Sequence, residues 1–507
     1  MNGNLYHLLD SRFPADRTRP CIETAEGRIY TYADVTAIAG RYASLLADLG
    51  AGPGERVAVQ VDKSPEAIFL YLACLRAGAI YLPLNTAYTP AEIAYFLGDA
   101  EPRVLVCRPE ARDSLTEAAK HAGVAHVLTL DADGGGTFAE AAAGENPDAG
   151  CAERAPTDVA AILYTSGTTG QPKGAMLTHR NLASNAQALH RIWGFRGDDV
   201  LLHALPIYHT HGLFVATNCV LLNGTSMLFL RKFDGDEVIR LLPRATVMMG
   251  VPTFYTRLLA HPGLDRAVCA HMRLFISGSA PLLEETFLAF EQRTGHRILE
   301  RYGMTETGMN ASNPLDGERR PGTVGLPLPD VEARVADDTG RVLPQGEIGV
   351  LEVRGPNVFA GYWRQPEKTA GEFRADGFFI TSDVAMIDER GYVHIVGRAK
   401  DLIISGGLNI YPKEVEQRID RIDGVAESAV IGLDHPDFGE AVAAVIVRAP
   451  GGHGLTAEAI VGHLKGEMAS FKIPKRVFFV DELPRNTMGK VQKSLLRERF
   501  GEQPARV

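Results

Sequence analysis

Cysteine is scarce in this 507-residue chain, and no pair has the Cys-x-x-Cys spacing. Cys21, Cys74, Cys107, Cys151, Cys219 and Cys269 lie far apart, so neither a disulfide framework nor a zinc site is predicted, and a reducing cytoplasm is the expected setting. Basic charge is in short supply too. Lys and Arg total 52 against 62 Asp and Glu, a formal net charge of −10. That balance argues against a nucleic-acid or anionic-membrane surface, both of which need clustered cations, and points to small-molecule partners. Long apolar runs are missing as well: Ala67 to Leu84 is interrupted by Arg76, and Met1 to Pro20 carries Asp10, Arg12, Asp16, Arg17 and Arg19 in place of an apolar core. Neither export nor a membrane span is expected. No internal repeat is discernible. What is present is apolar content of 45 %, enough for several cores, or about three structural units at roughly 150 residues each.

The pattern alternates strand and helix. Arg56 to Val61, Pro65 to Arg76 and Ala79 to Leu82 read as strand, helix, strand. Val159 to Leu163, Ala245 to Val251, Arg273 to Ile276 and Ile298 to Arg301 read as buried strands, each followed by a Gly, Ser, Thr or Pro loop, where an α/β sheet places its ligands. The Gly, Ala and Asp-rich stretch from Asp131 to Ala149 reads as a surface loop. Gly346 to Gly361 and Gly377 to Val396 alternate like antiparallel strands. A composition break near Gly397 divides a large N-terminal α/β domain, residues 1–397, from a small α+β domain, residues 402–507, across a hinge at 398–401. In the small domain, helices are expected over Pro412 to Ile422 and Thr456 to Met468, and strands over Glu427 to Gly432, Ala441 to Val447 and Arg476 to Val480.

Residues 164–174, Tyr-Thr-Ser-Gly-Thr-Thr-Gly-Gln-Pro-Lys-Gly, combine hydroxyls, glycines and a lysine just after a buried strand. Gly167 and Gly170 let backbone N–H groups approach phosphate oxygens, Thr165, Ser166, Thr168 and Thr169 add donors, and Lys173 adds charge. Pro172 disfavours helix entry, so this is a flexible polyphosphate loop and not a Walker P-loop. Tyr302-Gly-Met-Thr-Glu-Thr307 offers an aromatic face, the Thr305 hydroxyl and the Glu306 carboxylate. One carboxylate suffices for a nucleotide-bound Mg²⁺, although a solvated glutamate in a turn fits that segment equally well. Ser277 to Pro281 ends another strand with small residues. Asp383 could accept from both ribose hydroxyls or simply make a local turn bond, and Arg398 could meet the same ribose or form a surface ion pair. Pro484 to Lys490 resembles a mobile tip bearing one ammonium.

Together these strings resemble the adenylate-forming superfamily of acyl-coenzyme A synthetases, beetle luciferases and peptide-synthetase adenylation domains. The markers are Tyr164 to Gly174, Tyr302 to Thr307, Thr381 to Val384, Gly397 to Asp401, Ser405 to Gly407 and Pro484 to Lys490, in order along nearly the whole chain. The resemblance implies a large multi-subdomain N-terminal domain and a small mobile C-terminal one turning at Lys400. Ser279, Ala280, Pro281, Glu300 and Tyr302 would lie around adenine, Thr305 on phosphate, Glu306 on Mg²⁺ and Asp383 with Arg398 on ribose. Lys490 would be the catalytic lysine, reversibly acetylated by a lysine acetyltransferase and deacetylase pair. A carboxylate would attack the α-phosphorus of ATP, and coenzyme A would then take the acyl group.

His203 to Phe214, Gly250 to Arg257 and Arg301 to Asn310 look closest to malonyl-coenzyme A synthetases. Malonate or methylmalonate brings a second carboxylate that a cation must face. Arg257, assisted by Ser279, is the expected cation; His209, Thr210 and His211 would shape the pocket, and Met304 would limit bulk at C2. His203, His209 and His211 lack a completing ligand at a familiar spacing, so a metal there is not expected. Rival readings are a synthetase for short or medium monocarboxylic acids, a carrier-loading adenylation enzyme and a silent nucleotide-binding scaffold.

Overall fold

The structure, a computed structural model, describes residues 2–165, 172–405, 408–435, 438–465, 467–486 and 489–501. It is of mixed α/β type and separates into two compact units, 1–332 with 353–379, and 333–352 with 380–507. The boundary expected at 398–401 lies inside the second of these.

The larger unit holds two sheets. In the six-stranded one the order is His126–Thr129, Val104–Cys107, Arg56–Gln60, Ile80–Pro83, Val159–Thr165, Lys173–Thr178. Helix Pro65–Ala77 links two of its strands. Ser64 accepts from the Ala67 N–H at its start, and Gly78 closes it at φ 74°. All contacts in this sheet are parallel except the last, where Thr165 faces Lys173. Residues 166–171 connect that antiparallel pair and lie outside the described residues.

The nine-stranded sheet has a parallel centre. Leu299–Met304, Leu274–Ser277, Val247–Gly250, Val200–His203, Ser226–Phe229 and Pro20–Thr24 run side by side in one direction. His203, Gly250 and Ser277 are therefore neighbouring strand ends, at the carboxyl edge where such sheets collect ligands. The strand expected to stop at Arg301 continues to Met304 and folds back antiparallel through Gly308–Ser312. The Asp131 to Ala149 stretch is not loop throughout. Helix Thr137–Ala142 forms because Phe138 is fully buried edge-on against Tyr42, with ring centroids 5.0 Å apart.

In the second unit, Phe379–Ile387 and Val393–Arg398 pair antiparallel in a four-stranded sheet. A five-stranded sheet follows, built on the long pair Val425–His435 and Gly439–Arg448. Its two faces separate by residue parity. Val430, Val442, Ala444 and Ile446 share one core with Val415, Ile419, Ile460 and Leu464. Ala429, Ile431, Leu433, Ala443 and Val445 share the other with Leu496 and Phe500 of the last helix, Lys493–Gly501.

Candidate active site

Two polar centres form in the larger unit. In the first, Lys173 starts its strand because Pro172 offers no N–H to continue pairing. Lys173 is 5 % exposed; its ammonium lies 3.2 Å from Glu372 Oε1 and 4.5 Å above the centre of the Tyr362 ring. The Tyr362 hydroxyl stands 2.8 Å from Glu372 Oε2 and 3.1 Å from Glu306 Oε1, and Thr165 Oγ1 reaches the same Glu306 oxygen at 3.4 Å. Burial and the two carboxylates push the Tyr362 phenol well above its ordinary pKa, so it stays protonated beside them. Two carboxylates, one phenol and one ammonium thus form a connected set around Glu306. Tyr164 turns away from the loop to donate to Asp99.

The second centre surrounds Arg301, which is 3 % exposed at the end of a buried strand run. Its Nε and Nη2 are buried without hydrogen-bond partners among the described residues. Desolvation drives the guanidinium from its usual range down to about 9, a large depression for a group that normally never titrates. Gly278 makes the room, since a side chain there would collide with the guanidinium. Ser279 follows at φ 70°, and its hydroxyl lies 3.2 Å from His211 Nδ1. His209 is driven down to about 4, first by burial and then by Arg301; His211 is lowered by the same two causes. Both imidazoles are neutral at pH 7. Thr210 Oγ1, His211 Nε2 and Ser277 Oγ are also buried without partners. Unpartnered buried polar atoms are uncommon and costly, and this strand-end neighbourhood holds five, built around one cation. Chemically, such a set is suited to receive an anion.

The second unit carries a third set. Asp383 is 4 % exposed and its Oδ1 lies 3.2 Å from Arg398 Nε, the two residues facing each other across the hairpin. Thr381 accepts the Asp383 N–H while donating to the Leu351 carbonyl, and Ser382 holds φ 59°, so the backbone at Asp383 is tightly defined. Lys490 feels Arg398, Asp383, Asp401 and Lys400; burial and Arg398 lower it to about 8. Its N–H bonds the Asn486 side chain, and its carbonyl accepts from the Asn486 N–H. Lys400 is exposed.

Arg257 is exposed on helix Pro252–Ala260, one turn from Thr253; the buried guanidinium is Arg301. Glu300 accepts the Leu282 N–H at 3.0 Å and so braces the loop containing Ser279, Ala280 and Pro281. Tyr302, Met304 and Thr305 are half-buried beside Arg301 and Glu306 in sequence. Ser166, Gly167, Thr168, Thr169, Gly170, Gly406 and Gly407 lie outside the described residues. Sequence reasoning missed Tyr362 and Glu372, which have no local motif, and Arg301, whose signal was a lone charge closing an apolar strand. Among the described residues no group of three or more His, Cys, Asp or Glu could hold a metal unaided, and no helix is long and apolar enough to cross a membrane.

Comparison with known proteins agrees with this layout. The profile of the AMP-binding enzyme family matches residues 10–363, and that of the AMP-binding enzyme C-terminal domain matches 414–490. The chain is similar to ATP-bound MatB from Rhodopseudomonas palustris, at 57 % identity and TM-score 0.97, with 99 % of each chain covered. It is 36 % identical to a feruloyl-CoA synthase from an Amycolatopsis species over 94 % of this chain and 95 % of that protein. It is 33 % identical to a malonate–CoA ligase of Arabidopsis thaliana over 99 % of this chain and 90 % of that protein. With both profiles in order along one chain and these relatives matched nearly end to end, the protein belongs to the AMP-binding enzyme family.

Proposed function

We propose that this enzyme is an AMP-forming acid–thiol ligase that joins malonate to coenzyme A. The observation that carries the substrate is Arg301, a buried guanidinium with two unpartnered nitrogens. A monocarboxylic acid such as ferulate, the substrate named for one relative, would leave that cation unanswered. The distal carboxylate of malonate answers it with charge-assisted hydrogen bonds, and the similarity to a malonate–CoA ligase supports the same choice. Ser279, His209 and Thr210 complete the receptor and Met304 bounds C2, with exposed Arg257 a secondary cation for the acid.

In the first half-reaction the reacting carboxylate oxygen bonds to the α-phosphorus of ATP, the Pα–O bond to the β-phosphate breaks, and pyrophosphate leaves. Lys490 offsets the growing charge of the two approaching anions. The 165–173 loop, with Ser166, Thr168, Thr169 and Lys173, cradles the triphosphate, Tyr302 and Ala280 with Pro281 flank adenine, Thr305 meets phosphate, and Asp383 with Arg398 holds ribose. Glu306, buried and accepting from the Thr165 hydroxyl, fits a Mg²⁺ that arrives on the phosphates, where it would neutralise charge. In the second half-reaction the coenzyme A sulfur bonds to the acyl carbon, the bond to AMP breaks, and the thiol proton passes to solvent. Residues 402–507 turn about Lys400 in 398–401 between the two. Acetylation of Lys490 would remove its charge, and a cytoplasmic setting suits the six free cysteines.

The test is a panel of malonate, methylmalonate, butyrate and ferulate with ATP, Mg²⁺ and coenzyme A, monitoring AMP and thioester. Malonate is expected to give the highest kcat/KM; preference for butyrate or ferulate would overturn the reading.

A further inference from the structure

Outside the reacting groups, half-buried Lys63 and buried His203 form a pair next to His211 of the Arg301 receptor. His203, 1 % exposed at the end of its strand, places Nε2 2.9 Å from the Gly212 carbonyl and 3.3 Å from Thr217 Oγ1. Thr217 Oγ1 donates to that same carbonyl at 3.0 Å. On the other side, Lys63 Nζ stands 3.1 Å from His203 Nδ1 and 2.9 Å from the His203 carbonyl, 4.3 Å over the Phe229 ring. Gly212 is the second residue of a seven-residue π-helical turn, His211–Thr217. A side chain at 212 would strike the Pro206 carbonyl, so this turn sits at a close backbone approach.

The proton inventory is determined. A carbonyl only accepts, so His203 Nε2 carries hydrogen toward Gly212. Burial and Lys63 both disfavour the imidazolium, so Nδ1 is bare and accepts from Lys63. Lys63 donates to His203, and His203 donates to the Gly212 carbonyl inside the π-turn. That turn opens with His211, whose Nδ1 meets Ser279, and is preceded by Thr210. π-Turns of this kind are rare and collect at functional sites.

We infer that Lys63 and His203 are positioning residues for acid recognition: the lysine fixes the imidazole tautomer, and the imidazole fixes the turn that aims Thr210 and His211 at the Arg301 receptor. This rests on the acid-binding role given to that receptor. Neither residue touches substrate. A lysine is required for its donors, so arginine substitutes in part and methionine does not.

Malonate turnover by the unmodified enzyme is established first, and its absence overturns the functional reading, in which case the split below is read on whichever acid the enzyme activates best. Lys63→Met is expected to raise KM for the acid about 10-fold, the size of one hydrogen bond to a buried group. KM for ATP and kcat should stay within about twofold, and Lys63→Arg should recover most of the loss. The ¹⁵N shifts of His203 should show a protonated Nε2 in the parent and a mixture of tautomers in Lys63→Met. Should Lys63→Met misfold, Lys63→Arg and the parent tautomer still decide. Equal changes in both KM values, no change in either, no recovery with arginine, or a protonated Nδ1 in the parent would each overturn the inference.

Discussion

Lys173 and Arg301 are both buried cations of the larger unit, yet the protein treats them in opposite ways. Lys173 is answered by Glu372 and covered by Tyr362, whereas two Arg301 nitrogens have no hydrogen-bond partner among the described residues. A compensated cation contributes to the fold and must exchange partners to serve a ligand. An uncompensated one costs stability in the empty protein and returns that energy to whichever anion arrives. On the proposed function, phosphate affinity rests on a switchable pair and acid selection on a preorganised receptor.

The sharpest intervention on the nucleotide side is Lys490→Met. Pyrophosphate release should fall about 10²- to 10³-fold, as for loss of one transition-state donor, with thioester formation from preformed acyl-adenylate nearly unchanged. Equal loss in both half-reactions would contradict the role given to Lys490. Because the lysine is lowered to about 8, its charge is present below that pH and is lost above it. The rate of adenylate formation should therefore decline on an alkaline limb near pH 8, which Lys490→Arg should displace upward.

On the acid side, Gly278→Ala introduces a methyl into the space of the Arg301 guanidinium. KM for malonate should rise about 50-fold, on the order of 2 kcal/mol for a misaligned charged contact, with KM for ATP unchanged. A parallel rise in both would erase the distinction between the centres. Glu372→Gln tests the compensated cation directly. It leaves Lys173 without its counter-charge, so Tm should drop by several degrees, on the order of 1–2 kcal/mol, and saturating ATP should raise Tm more than in the parent. If ATP adds no more than in the parent, Lys173 does not exchange Glu372 for phosphate. Smallest is Arg257→Met: because that side chain is exposed, kcat/KM for malonate should change less than about fivefold. A larger, malonate-specific loss would move the receptor outward.

Much of this was legible in the chain. The strands ending at Thr165, Gly250, Ser277 and His435 follow from apolar runs and the turn residues after them, and Glu306, Asp383, Arg398 and Lys490 stand out because they sit in short motifs. What stayed hidden depends on contacts between distant segments. Tyr362 and Glu372 lie roughly two hundred residues from Lys173 and carry no local signature. Arg301 is conspicuous only when the backbone at Gly278 is seen to make room for it, whereas Arg257 is exposed on a helix that follows a strand end. The helix over Thr137–Ala142 was masked by the Gly, Ala and Asp bias around a single Phe138, whose burial decides the local structure.

The most direct measurement is the ratio of kcat/KM for malonate to that for butyrate in the parent and in Arg301→Met. The parent should favour malonate strongly; the variant should lose about 10²- to 10³-fold on malonate, some 3–4 kcal/mol for a buried charge pair deprived of one partner, while holding or gaining on butyrate, and its Tm should not fall. A variant that loses both acids equally, or still prefers malonate to the same degree, would contradict the claim that this guanidinium selects the dicarboxylate.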